Sequence, residues 1–290
     1  MKFATFQWGG RSNVGVVSAD AAEVTPLAFD ASRGLLALVA HLGAGGALPA
    51  PSGARLPLSA VQLEAPLPRQ RRSLFCVGRN YRAHAKELAT SVFKDSGARE
   101  DGWPIVFGKL PECVVAPGAS VELPRSGSSF VSEQIDYEAE LAVVIGRGGK
   151  NIDRARAMDH VFGYTIVNDV TARDVQVRHS QWDLGKSFDT FCPMGPFLAT
   201  PDDCDGTDTR VRLWINDEPR QDGRTTDLIF DIPTLIETCS RGITLQAGDV
   251  IATGTPAGVG MGMTPPRWLR PSDRMRIEID GIGVLENRVV

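Results

Sequence analysis

The stretch QIDYEAELAVVIG, residues 134–146, constrains the fold more than any other part of the chain. On a strand, side chains two residues apart share a face, so Asp136, Glu138 and Glu140 project to one side. The run then passes directly into the apolar LAVVIG. A strand that is partly buried must therefore carry carboxylates to a place where an uncompensated charge is costly. Three like charges on one face need water or a cation beside them. A divalent ion with hard oxygen ligands suits such a set, because Mg²⁺ takes a few carboxylates and keeps several waters. Spacing alone also allows a solvated acidic face on an edge strand, but the apolar continuation weighs against it.

The rest of the chain must supply a fold that holds such a strand. Its 290 residues, 42% hydrophobic and 23% charged, describe an ordinary globular protein. At about 150 residues per domain, that length suggests one large domain or a large and a small one. With 31 basic against 35 acidic side chains and a net charge of −4, a strongly basic nucleic-acid binder is excluded. No apolar run approaches the ~18 residues of a membrane span, so no membrane partner is expected. The N-terminal MKFATFQWGGRSNVG lacks the apolar core of a secretory signal. Five cysteines without a C-x-x-C pair argue against a disulfide scaffold and for a reducing cytoplasm.

KFATFQW and NVGVVSA on either side of Gly9 and Gly10 read as a hairpin. A helix is expected over Arg33 to Leu42 with Ser32 as its cap, followed by the Gly/Pro/Ala-rich GAGGALPAPSGARLPL loop and a strand near Val61 to Glu64. APLPRQRR reads as a linker, which places a domain boundary near Arg72. From Ser73 onward strands are expected at Leu74 to Gly78, Leu141 to Ile145, Val161 to Asp169, Arg210 to Asn216, Asp249 to Ala252, Met275 to Ile279 and Gly283 to Val289. Helices are expected at Arg82 to Ala89, Arg154 to Asp159 and Ile232 to Cys239. Many short strands with few helices favour a mixed, β-dominated architecture over regular βαβ units.

Beyond the carboxylate strand, four places could carry chemistry. Asp169 closes the apolar run of GYTIVNDVTARDVQ, where a strand opens into a loop; Arg173 and Gln176 follow, three residues apart and able to face one ligand. Taken without its neighbours, Asp169 is an ordinary strand-end aspartate. His84 and Glu87 in GRNYRAHAKEL are neighbours on one helical face, and a carboxylate beside an imidazole raises its basicity and fixes its tautomer. The plain alternative is a surface pair worth a few tenths of a kcal/mol. Lys186, in DLGKSFDTFCPMGP, is one of six lysines among the 31 basic residues, and a lysine near a substrate can stabilise a developing oxyanion or enolate. The loop IATGTPAGVGMG lacks G-K-[ST] and a G-x-G-x-x-G between strand and helix, so it offers no nucleotide site. It reads instead as a tight loop presenting N–H groups and the Thr253 and Thr255 hydroxyls to an anion. His41 belongs to packing near the N-terminus, and His160 and His179 have no evident partner. No nucleophile elbow is present, and no serine or cysteine has a local base.

Taken in order, FCVGRNYRAHAKEL, PIVFGKLPECVVAPG, DYEAELAVVIG, GYTIVNDVTARDVQ, GKSFDTFCPMGP and LQAGDVIATGTPAGVG resemble the fumarylacetoacetate hydrolase (FAH) superfamily across residues 73–290. The resemblance implies a catalytic domain built on the family's distorted β-roll, usually dimeric, with residues 1–72 as the small N-terminal β-rich domain of many bacterial members. It places the family's Mg²⁺ or Mn²⁺ ligands on Glu138, Glu140 and Asp169. Its His–Glu dyad, on a segment that closes over ligand, falls on His84 and Glu87, and its active-site lysine on Lys186. The groups that hold the keto-acid end fall on Arg173, Gln176 and Thr255. Asp136 shares the strand face but is not a ligand position in the short-chain members. The connector ATSVFKDSGAREDGW is longer and more polar than in some relatives, and residues Tyr81 to Gly102 are expected to be mobile until ligand binds.

The resemblance and the residue chemistry together imply an α-keto acid substrate. The leading reading is hydrolysis of a carbon–carbon bond in an acylpyruvate-type 1,3-diketo acid, with water activated by His84 and Glu87. Oxaloacetate decarboxylation and isomerisation of a 2-hydroxy-dienoate use closely similar residues. A non-catalytic keto-acid-binding protein is the alternative from another class; the complete set of His84, Glu87, Glu138, Glu140, Asp169 and Lys186 argues against it.

Overall fold

The computed structural model describes residues 1–88, 102–178 and 180–290. The expected lid segment falls largely on residues 89–101, which lie outside the described residues, as does His179.

Two sheets organise the chain. The larger has twelve strands, and its main path runs Leu56–Pro57, Glu23–Pro26, Arg11–Val17, Lys2–Trp8, Cys192–Ala199, Val161–Asn168, Ala139–Ile145, Val250–Ala252, Leu74–Gly78 and Ile105–Lys109. Its neighbours are antiparallel along this path, except that Val250–Ala252 and Leu74–Gly78 run parallel. The smaller sheet orders Ser120–Val121, Gly283–Val289, Arg274–Ile279, Arg210–Ile215 and Glu218–Arg224. Strand-dominated order with short helices is the mixed, β-dominated class expected. The N-terminal strands join the large sheet directly, with Lys2 opposite Ala199 and Phe3 opposite Leu198.

The Ala139–Ile145 strand is buried at every position. It is flanked by Val161–Asn168 on one side and Val250–Ala252 on the other. Packing on both faces explains why LAVVI is continuously apolar instead of alternating. The N-terminal hairpin also follows its sequence: Trp8 pairs with Arg11, and Gly9 and Gly10 adopt the left-handed φ values of +60° and +75° that a two-residue turn requires. The helix Ile232–Ser240 begins where Asp231 accepts the Thr234 amide at 3.0 Å, with a proline in its first turn.

Two helix expectations are corrected. Ser32 caps nothing: Ser32–Leu35 is a strand, and the helix is Leu36–Gly43, without a side-chain cap. Gly34 sits at φ +61°, outside helical space, and the Leu35 amide is taken by the Pro66 carbonyl at 3.0 Å, so the helix starts only after both. Residues Arg154–His160 form a 3₁₀ helix, opened by Asp153 accepting from the Ala155 amide at 2.8 Å. His41 packs against Phe29, as expected, and bonds the Ala47 carbonyl. His160 does have a partner, the Arg147 carbonyl, a contact between turns that local spacing does not reveal.

Candidate active site

The carboxylate strand brings its charges to the end of the large sheet nearest the Thr253–Gly262 loop. Glu138, Glu140 and Asp169 are all buried, and one oxygen of each lies within 4.8 Å of the others. Long-range pairing makes the cluster: Glu140 is opposite Val167, and the Asp169 amide donates to the Glu138 carbonyl at 2.8 Å just past the strand end. The first two carboxylates were legible from alternation, and the third arrives because the neighbouring strand ends in register with them.

Cations surround the cluster. The Lys186 ammonium lies 2.7 Å from Glu138 Oε2 and 2.8 Å from Asp169 Oδ2. The Arg173 guanidinium reaches Glu138 Oε1 at 2.7 Å and Asp136 Oδ2 at 2.9 Å, and donates to Gln176 Oε1 at 3.1 Å. Burial works against ionised Glu138, but Lys186 and Arg173 outweigh it and hold its carboxyl down at about 2. Glu140 goes the other way. Burial, then the Asp169 and Glu138 charges, push its carboxyl well above the usual range, against the pull of Lys186. Of the three carboxylates, Glu140 is therefore the one that the protein's own cations leave under-neutralised, and a hard divalent ion fits this all-oxygen donor set.

The dyad assembles as the helical spacing predicts. His84 Nδ1 is 2.9 Å from Glu87 Oε2 on the helix Arg82–Leu88. With Nδ1 on the carboxylate, Nε2 is the nitrogen left for substrate or water. The second Glu87 oxygen accepts the Gly258 amide at 2.9 Å. His84, Glu138, Glu140, Arg173, Gln176, Lys186 and Thr255 line one pocket. Of the nine residues on which the resemblance places site roles, all but Glu87 and Asp169 are on its wall, and those two touch residues that are.

The glycine-rich loop does bind anions, but they are the site's own carboxylates. Gly254 donates to Glu140 Oε2 at 2.9 Å, Gly258 to Glu87, and Gly260 and Met261 to Asp136 at 2.7 and 2.9 Å. At Gly258, φ is +107° and an added Cβ would stand 1.8 Å from the Arg220 carbonyl oxygen, so only glycine can present that amide. The Thr253 and Thr255 hydroxyls donate to the Leu141 and Ala139 carbonyls, both at 2.9 Å. They fasten the loop to the carboxylate strand.

Two residues escaped the sequence reading, and a third, Asp136, was placed outside the ligand set without its partners. Asp136 was seen only as a face-mate of the glutamates, whereas it clamps Arg173 to the Gly260–Met261 amides. Arg79 is buried in the pocket wall with a positive φ of 56°. Lys109 is fully buried, with its ammonium 2.8 Å from Asp169 Oδ1. The scarcity of lysine that singled out Lys186 applies equally to Lys109 and was the available signal.

A buried cluster of carboxylates, two lysines and an arginine, open to a pocket that also presents a histidine dyad, defines an enzyme site for a small anionic molecule. Residues 73–290 match the family model described as fumarylacetoacetate (FAA) hydrolase C-terminal, and the chain belongs to that family. It is 49% identical over 233 residues to the oxaloacetate tautomerase YisK of Bacillus subtilis, covering 80% of this chain and 74% of that protein. It is 42% identical over 238 residues to the human mitochondrial oxaloacetate tautomerase FAHD2A, covering 81% and 71%. Among solved structures it is similar to the fumarylacetoacetate hydrolase of Exiguobacterium antarcticum, at a TM-score of 0.85, 39% identity and 100% and 99% coverage. The chain is an enzyme of this family. No described helix is long and apolar enough to cross a membrane.

Proposed function

We propose that the enzyme interconverts the keto and enol forms of a short α-keto dicarboxylic acid of the oxaloacetate type. The observation that carries this reading is that two proton-handling groups, Lys186 and the His84–Glu87 dyad, reach one pocket beside the carboxylate cluster. Identity of 49% to a protein named as an oxaloacetate tautomerase supports the substrate class. Glu138, Glu140 and Asp169 would hold Mg²⁺ or Mn²⁺, which supplies Lewis-acid polarisation of a keto oxygen.

The chain's own groups do the rest. Arg173, Gln176 and Thr255 are the residues for the keto-acid end, and Arg173 is held rigid by Asp136, Glu138 and Gln176. Lys186 spends two of its three N–H groups on Glu138 and Asp169 and holds a proton for delivery to the substrate carbon. His84, with Nδ1 committed to Glu87, accepts the enol proton at Nε2; solvent then takes that proton from His84 and returns one to Lys186, and ketone to enol runs the same transfers in reverse. Residues 73–290 carry every one of these groups, and residues 1–72 act as an accessory unit that extends the sheet. The homodimer rests on the family resemblance, and light scattering of the purified protein tests it. A cytoplasmic location rests on five free, buried cysteines.

The dyad also favours a second reading, the acylpyruvate hydrolysis expected from the sequence, because a carboxylate-backed imidazole can activate water. One experiment separates the readings. Protein stripped of metal, then given Mg²⁺ or Mn²⁺, is incubated in D₂O with oxaloacetate and separately with acetylpyruvate, and proton NMR follows both. Accelerated deuteration at C3 of oxaloacetate without loss of substrate is the expected result. Acetate plus pyruvate from acetylpyruvate would establish the hydrolase instead, and pyruvate from oxaloacetate above the metal-only rate would establish decarboxylation.

A further inference from the structure

The two buried lysines at the cluster hold different kinds of partner. Lys186 bonds two carboxylates on the pocket side. Lys109, the last residue of the Ile105–Lys109 strand, has no exposed surface and spends its ammonium entirely on the protein. It meets Asp169 Oδ1 at 2.8 Å, the Val170 carbonyl at 3.2 Å, and the backbone carbonyl of Lys186 itself. An ammonium has three N–H groups, and three acceptors take them. With all three N–H groups committed to the protein, Lys109 has none to offer a substrate.

From this we infer that Lys109 is a positioning residue for the metal site of the proposed enzyme. The Asp169 carboxylate has two oxygens. Lys109 occupies Oδ1 and Lys186 meets Oδ2, and one Asp169 oxygen lies within 4.8 Å of an oxygen of each glutamate. Asp169 therefore offers one oxygen to a cation, in an orientation set by the Ile105–Lys109 strand, whose Phe107 also lines the pocket. The same ammonium holds the carbonyl of Lys186, at the end of the short helix Asp183–Lys186, and so sets where the Lys186 side chain leaves the backbone. One buried charge thus registers a metal ligand against the proton-handling lysine. Outer partners of this kind commonly change metal affinity 10–100-fold when removed.

This inference rests on the metal reading above, and the test keeps the two apart. Mn²⁺ is titrated into metal-free wild type, Lys109→Met, Asp169→Asn and the double variant, with free Mn²⁺ followed by electron paramagnetic resonance and folding by circular dichroism. Lys109→Met, folded, is expected to bind Mn²⁺ at least about 10-fold more weakly than wild type. In the Asp169→Asn background the same substitution should cost less than about threefold, because a residue acting through Asp169 has nothing left to position. A purely structural lysine would lower the melting temperature and leave Mn²⁺ affinity of the folded protein unchanged. Equal Mn²⁺ affinity of wild type and Lys109→Met overturns the inference, as does a full effect in the Asp169→Asn background. Should Lys109→Met fail to fold, Lys109→Gln, which keeps N–H donors without the charge, is read by the same two criteria. Wild type that binds no Mn²⁺ overturns the metal reading itself, and this inference with it.

Discussion

The carboxylate cluster and the His84–Glu87 pair are parts of one site held in opposite ways. Glu138, Glu140 and Asp169 sit at the ends of central strands, and every one has protein partners from other segments. The dyad stands on a seven-residue helix, outside the sheets, and Glu87 is tied back to the body by one backbone amide, Gly258. The difference is one of support: the carboxylates are held by partners from several segments of the sheet region, and the dyad by a short helix packed through Leu88 against Val259.

That division predicts which property fails when each part is altered. The largest effect belongs to Glu138→Ala, which leaves Arg173 and Lys186 buried without their shared carboxylate. Loss of about 3–5 kcal/mol in denaturant unfolding is expected, together with loss of Mn²⁺ binding. Glu140→Gln should also weaken Mn²⁺ by about 100-fold or more, yet leave the metal-free protein no less stable, because Glu140 is the carboxylate its neighbours already disfavour as an anion. A metal-free melting temperature well below wild type for Glu140→Gln would break the picture of an under-neutralised Glu140.

His84→Ala belongs to the other half of the comparison. A fall in turnover of about two to four decades is expected, with Mn²⁺ affinity within twofold of wild type. If metal affinity fell in step with turnover, the two regions would not be separate. Asp136→Asn lies between them, since Asp136 joins Arg173 to the Gly260–Met261 amides. A rise in KM of about 10-fold with a smaller change in kcat is expected, because Arg173 would lose its fixed orientation. Removing the Asp231 cap by Asp231→Ala should cost only about 1 kcal/mol and leave both binding and turnover intact, since that helix end touches neither region.

Which parts were legible in advance follows from how far apart in sequence the partners lie. The His84–Glu87 contact is a three-residue helical spacing, and the Glu138–Glu140 pair is strand alternation. Both are set by local geometry and both were read correctly. The N-terminal hairpin and the Asp231-capped helix were legible for the same reason. The helix start near Ser32 was misread because Gly34 and the distant Pro66 carbonyl, not the local apolar pattern, decide where helical hydrogen bonding begins. The glycine-rich loop was read as offering amides and the Thr253 and Thr255 hydroxyls to an anion. Its amides do bind anions, whereas the two hydroxyls go to the Leu141 and Ala139 carbonyls. Which anions it binds depends on Glu140, Glu87 and Asp136, residues 114 to 171 positions away.

By itself, then, the order of residues determined a β-dominated chain, a strand that must carry carboxylates inward, and a histidine paired with a glutamate. Periodicities of two and of about 3.6 residues are properties of the backbone, and they act before any tertiary contact forms. Only the tertiary structure decided that Lys109 meets Asp169, that Lys186 bridges Glu138 and Asp169, and that Arg173 is braced by Asp136. Those contacts exist because particular strands became neighbours in one register. That choice is made by burying the whole sheet at once, and no short window of sequence contains it.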